Sequence, residues 1–126
     1  MTILTEGTRG YAFLVSEANG ARTRQEVVVT VPANSTIVAG RIMGQITTGG
    51  KFVAQTAAAT NGSQTPAGLL LVSQTNTTGS AIDVSATIVS RDAEVVKTQL
   101  TYDPAANAAA ILAADAALAA RGIIVR

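Results

Sequence analysis

The stretch Glu26-Val27-Val28-Val29-Thr30-Val31, closed by Pro32, decides the reading of this chain. It is β-branched almost throughout, which suits an extended backbone, and proline cannot donate the next ladder hydrogen bond. From Glu26 onward the pattern is β. Ile37-Val38-Ala39 and Ile42-Met43-Gly44-Gln45-Ile46-Thr47 read as strands. Gly49-Gly50 then turns the chain into Lys51-Phe52-Val53-Ala54, which predicts a hairpin. Residues 55–65 form a loop of small residues carrying Asn61-Gly62. The continuous run Gly68-Leu69-Leu70-Leu71-Val72 predicts a strand buried on both faces. Ser73 to Ser80 reads as a polar turn. Residues 82–89, Ile82 to Val89, begin with apolar residues at alternate positions, and Glu94-Val95-Val96 follows as a short strand.

The period changes near the C-terminus. Asp103 is suited to cap a helix and Pro104 to its first turn. Ala105 to Arg121 is Ala-rich, with Ile111, Leu112 and Leu118 marking an apolar side. Arg121 complements the helix dipole, Gly122 fits a left-handed C′ position, and Ile123-Ile124-Val125-Arg126 reads as a terminal strand. Working outward in the other direction, residues 1–25 differ from the rest. Residues 1–10 are polar and interrupted by glycine. Tyr11-Ala12-Phe13-Leu14-Val15 is a short apolar run, and Ser16-Glu17-Ala18-Asn19-Gly20 reads as a turn. The expected division is an N-terminal arm, 1–25, and a β-rich domain, 26–126, with nothing that obliges the arm to join the main core.

Composition limits the chemistry. The 126 residues include no His, no Cys and no Trp, and only 13% are charged. General acid–base and nucleophilic catalysis draw mostly on His and Cys, so the usual catalytic apparatus is missing. Zero cysteines exclude disulfides and thiolate zinc sites. A net charge of +1 and an aromatic fraction of 3% argue against direct nucleic-acid binding, which needs a basic field and stacking platforms. No apolar stretch approaches the ~18 residues of a membrane span, and the start shows no signal-peptide pattern. The expectation is one domain with an aliphatic core, no cofactor and no membrane partner.

Isolated motifs give little. Asp92 and Glu94 straddle Ala93, and a solvated strand end or turn explains them without catalysis. Ser63, Ser73 and Ser90 have no His to activate them, and no spacing supports a Ser–Lys pair with Lys51 or Lys97. Gly49-Gly50-Lys51 lacks the earlier glycine of a phosphate loop and has Phe52 where Ser or Thr is required. Gly40 and Gly44 fit a bent strand better than a membrane helix. Asn34, Asn61 and Asn76 match the glycosylation pattern and read as turns or polar strand edges.

An ordered series of stretches resembles one family. They are Phe13-Leu14-Val15-Ser16-Glu17-Ala18-Asn19-Gly20 with Arg22, Arg24 and Glu26; Ala39-Gly40-Arg41-Ile42-Met43-Gly44 leading to Gly50-Lys51-Phe52-Val53; Ala57 to Thr65, then Ala67-Gly68-Leu69-Leu70; Ser90 to Val95; and the helix closing on Leu118 to Arg126. Together they resemble the head decoration proteins of tailed bacteriophages, the lambda-type proteins that stabilise capsids. Thr101-Tyr102-Asp103-Pro104 stands where that family often has Trp-Pro, and Gln55-Thr56-Ala57 where it often has Tyr-Asp-Pro. The resemblance implies a compact, mostly β domain of the β-tulip kind, with one C-terminal α-helix and an extended N-terminal arm. It implies a homotrimer on the exterior of an expanded capsid, made in the host cytoplasm and bound to the major capsid protein. There it stabilises the head against internal DNA pressure. The arm of such proteins is mobile when free and orders against the shell.

The candidate capsid-binding residues are Tyr11, Phe13, Leu14, Val15, Arg22 and Arg24. Tyr11, Phe13 and Val15 fall on one side of an extended segment, with Ala12 and Leu14 on the other. Three such anchors, each contributing about 1.5–3 kcal/mol, do not offset ten ordered residues at about 1–2 kcal/mol each. The arm is therefore expected to be loose in solution. Two other readings stay open from the residues alone. One is a tail or fibre module of similar composition. The other is a small hydrolase or lyase using Asp92, Glu94 and a lysine.

Overall fold

The computed structural model describes residues 3, 9–19 and 22–126. The strands are β1 Leu14–Glu17, β2 Arg24–Val31, β3 Ser35–Ile37, β4 Ile42–Gln45, β5 Phe52–Ala54, β6 Pro66–Leu70, β7 Gln74–Asn76, β8 Ile82–Val89, β9 Ala93–Val95 and β10 Ile123–Val125. A helix, α1, spans Ala108–Ala119. The expected β-rich domain with one C-terminal helix is what the chain forms.

The β-branched stretch from Glu26 to Val31 lies in one of the two longest strands of a closed barrel, β2-β5-β4-β6-β8. β2 pairs with β8 along its full length, from Arg24 opposite Val89 to Val31 opposite Ile82. Val27, Val29 and Val31 point inward and Val28 points out, as the period of two requires. Met43, Phe52, Leu70 and Ile88 fill the same interior. The hairpin β4–β5 turns through Gly49 and Gly50, both at positive φ, as expected.

β6 explains the unbroken apolar run. Leu70 faces the barrel core, while Leu69 and Leu71 belong to a second core on the other side. A strand between two cores has no polar face. The second core lies under a three-stranded sheet, β1-β9-β10, and under α1. β9 runs parallel to β10 and antiparallel to β1. Ile42, Val89, Val95, Leu118 and Ile123 fill this core together with Phe13.

Phe13 joins this core, although nothing in the sequence obliged residues 1–25 to do so. Its side chain is 0% exposed, and the strand that follows it is built into the sheet. The supposed alternation of Tyr11, Phe13 and Val15 fails because residues 10–13 form a turn, with Tyr11 at φ 69°. Residues 1, 2, 4–8, 20 and 21 lie outside the described residues, including Gly20 of the expected Asn19-Gly20 turn.

The polar stretch 73–80 holds a strand, β7, paired with β3. Thr36 and Thr75 meet there hydroxyl to hydroxyl at 3.0 Å, so no apolar alternation announces it. The helix starts later than expected. Asn107 is its N-cap, accepting from the Ala110 N–H at 2.9 Å. Asp103 instead stabilises the preceding turn, accepting from the N–H of Ala105 and, across the chain, of Ala57. Ala114 and Leu118 form the buried side with half-buried Ile111, while Leu112 is 66% exposed. Gly122, at φ 78°, ends the helix as expected and turns it into β10.

Candidate functional site

The N-terminal segment is fixed to the domain by its backbone before any side chain is considered. The Tyr11 N–H donates to the Leu71 carbonyl at 3.2 Å, at the end of β6. The Leu14 N–H donates to the Tyr11 carbonyl at 3.0 Å and closes the turn. Gly10 fits against Val72, whose Cγ2 would stand 3.3 Å from a Cβ placed there. The Val96 N–H then donates to the Phe13 carbonyl at 2.8 Å, where β1 joins the sheet. The β1–β9 register shifts between Leu14 and Ser16, a bulge that leaves Val15 54% exposed.

Thr23 holds the other end of the segment. It is fully buried, its hydroxyl accepts from the Ala18 N–H at 2.9 Å, and it donates to the Asp92 carbonyl at 2.9 Å. The Ser90 N–H donates to the Thr23 carbonyl. One threonine thus ties the loop after β1 to the corner before β9. Its position between Arg22 and Arg24 gives no periodic cue, and sequence reasoning missed it.

The six candidate residues do not form one surface. Phe13 is in the core and Leu14 packs partly against it. Tyr11 and Val15 remain half exposed. Arg24 makes two hydrogen bonds to the Glu17 carboxylate, at 2.9 and 2.8 Å, and its guanidinium lies 5.2 Å from the centre of the Tyr11 ring. Those hydrogen bonds hold the Glu17 carboxyl below its ordinary range and raise the affinity of Arg24 for its proton. Arg22 pairs separately with Asp92 at 2.9 Å. The arrangement presents a short strand at the end of a sheet, with Val15 exposed on it, Tyr11 exposed in the turn before it, and the ion pairs Arg24–Glu17 and Arg22–Asp92 near it in the chain. β1 is the last strand in its sheet, so among the described residues its outer edge has no strand partner. Such an edge is a template for strand addition by another polypeptide.

Asp92 and Glu94 are not presented together. Asp92 precedes β9 at φ 49° and pairs with Arg22, whereas Glu94 lies in β9 and pairs with Arg126 at 3.1 Å. Among the described residues no cluster of three or more His, Cys, Asp or Glu is arranged to hold a metal ion. No helix among them is long and apolar enough to cross a membrane.

No individual curated protein matches the chain. The family model described as bacteriophage lambda head decoration protein D matches residues 3–123, which takes in the whole barrel, the helix and every strand but the last two residues of β10. The chain therefore belongs to the family of the bacteriophage lambda head decoration protein D.

Proposed function

We propose that this protein binds the outer surface of an expanded phage capsid as a trimer and stabilises the head against internal DNA pressure. Membership of the head decoration family supports association with the capsid and a structural role. The observation that carries the finer reading is the open outer edge of β1, flanked by exposed Tyr11 and Val15. A strand of the major capsid protein would continue the sheet β1-β9-β10 and cover those two side chains. In this reading Phe13 and Leu14 hold the edge in place, and Arg22 and Arg24 fix its flanks through Asp92 and Glu17. Tyr11 and Val15 make the contact.

A single edge is a weak site. Full burial of a large apolar side chain contributes about 1.5–3 kcal/mol, and each newly ordered residue costs about 1–2 kcal/mol. Because β1 is already paired within the chain, most of that ordering cost falls on the partner. Three copies acting together raise the effective concentration of the second and third contacts to roughly millimolar, which turns weak contacts into firm attachment. Only a three-fold position presents three partner edges at once, so geometry supplies the specificity. Bridging neighbouring shell subunits resists their separation without any covalent step.

Co-sedimentation with purified heads tests this. Saturable binding to expanded heads, weak binding to unexpanded heads and none to tails is expected. Deletion of residues 1–8, which spares Phe13, measures the contribution of the segment before the turn. Equal binding to expanded and unexpanded heads would reject the reading. So would a monomer at both micromolar concentration and the density of a covered shell.

A further inference from the structure

Among the described residues, Arg41 is the only charged one that is buried, at 7% exposure. Its Nη2 donates to the Gln55 carbonyl at 2.8 Å and its Nη1 to the Thr101 carbonyl at 3.4 Å. Both acceptors are neutral backbone oxygens. None of the ion pairs among the described residues includes Arg41. Asp103 acts on it through space, yet the Asp103 oxygens already accept from the N–H groups of Ala57 and Ala105. Loss of hydration lowers the proton affinity of the guanidinium, which stays charged nonetheless. A buried cation with no direct ion pair is costly, and a carboxylate brought into contact with it is correspondingly favoured.

Arg41 lines a cleft of about 360 Å³ between β3 and the segment leading to α1. Pro32, Ile37, Val38 and Pro104 supply apolar walls, and Thr36 stands among the residues that line it. A cleft of this size and lining, with one cation in its wall, accepts an aliphatic stem ending in a carboxylate. Among the described residues, the acids are poor partners for Arg41 of a second copy. Glu17, Asp83, Asp92, Glu94 and Asp115 are each paired with a cation, and Asp103 is held by backbone N–H groups. Glu26, the remaining described acid, accepts from the Ser85 hydroxyl.

We infer that this cleft receives an acidic side chain of the shell subunit, whose carboxylate pairs with Arg41. The inference rests on the head-binding reading above and adds a second contact, separate from the β1 edge. It gives the attachment a charge-selective component that strand addition lacks.

Two variants and a small probe test it. Arg41→Gln keeps an amide donor but removes the charge, and Thr36→Trp fills the cleft while leaving Arg41 in place. Both should bind expanded heads about thirty-fold or more weakly than the wild type, the usual scale for losing one side of a buried charge pair. Should Arg41→Gln fail to fold, Thr36→Trp decides. In the free wild-type protein, N-acetylglutamate methylamide should shift the Arg41 Nε–H resonance saturably, and the glutamine analogue should not. Folded variants that bind heads like the wild type, with no probe-dependent shift, overturn the inference and leave the head-binding reading standing. Failure of the wild type itself to bind heads overturns the head-binding reading, and the inference with it.

Discussion

In the barrel every strand has a neighbour on each side, whereas the sheet β1-β9-β10 ends, among the described residues, on strands with a free edge. The barrel is knit by one long ladder between β2 and β8, and its interior is almost wholly aliphatic. The three-stranded sheet has short ladders and takes its stability from the core beneath it, gathered from Phe13, Leu69, Leu118 and Ile123. Closure removes the groups by which one sheet recruits another; an open sheet keeps them. The molecule thus separates a part that only has to stay folded from a part able to engage a partner. The same core that steadies the sheet also joins Phe13, near the start of the chain, to Ile123, near its end.

The contrast is broken most directly at Phe13. Phe13→Ala should cost about 3–5 kcal/mol in chemical denaturation, like any large aromatic lost from a core. A loss below about 1 kcal/mol would return this segment to the status of an appendage. Gly44→Ala probes the barrel in turn, because a Cβ there would stand 2.2 Å from the Ser63 carbonyl oxygen. The expected cost is about 1–3 kcal/mol, since backbone has to move. Asn107→Ala should remove about 1 kcal/mol through the lost helix cap, and Asp103→Ala should leave helix content by circular dichroism unchanged. The reverse order would restore the earlier helix start.

Val15→Asp sharpens the division between stability and attachment. On an exposed position it should change stability by no more than about 0.5 kcal/mol while reducing binding to expanded heads. The smallest effect concerns pH. Glu17 in the sheet and Asp83 in the barrel both have carboxyls held below their ordinary values of 4.5 and 3.8, by Arg24 and by Lys51 with Thr30. A depressed carboxyl favours the folded state fully above its unfolded value, and that contribution is lost as pH falls through the folded value. Melting temperature should therefore decline below those values, and Glu17→Gln should make the decline shallower.

The barrel strands were legible because their side chains follow a period. Val27, Val29 and Val31 alternate with exposed positions, and the run of leucines in β6 is unbroken because two cores flank it. The helix was legible from its alanines and from Gly122, but not its start or its inner side. Asn107 and Asp103 are equally good caps in isolation, and Leu112 is as apolar as Leu118. The choice was made by what lies across from them: the Ala57 N–H for Asp103, and the second core for Leu118. β7 was hidden because its residues, Gln74-Thr75-Asn76, are all polar. At the candidate site, Tyr11, Phe13, Leu14 and Val15 read as one apolar run, yet their division into core and surface depends on a turn and a bulge. Thr23 and Arg41 carried no pattern at all.

By itself the sequence determined the class of the fold, the aliphatic nature of both cores and the lack of His and Cys, because these follow from residue type and short-range period. Only the tertiary structure decided that Phe13 is core while Tyr11 and Val15 are surface, that β1 closes a sheet with β9 rather than hanging free, and that Arg41 lies buried with no direct ion pair among the described residues. Such outcomes depend on contacts between residues far apart in the chain, and no local pattern of side chains encodes which distant partner a residue will meet.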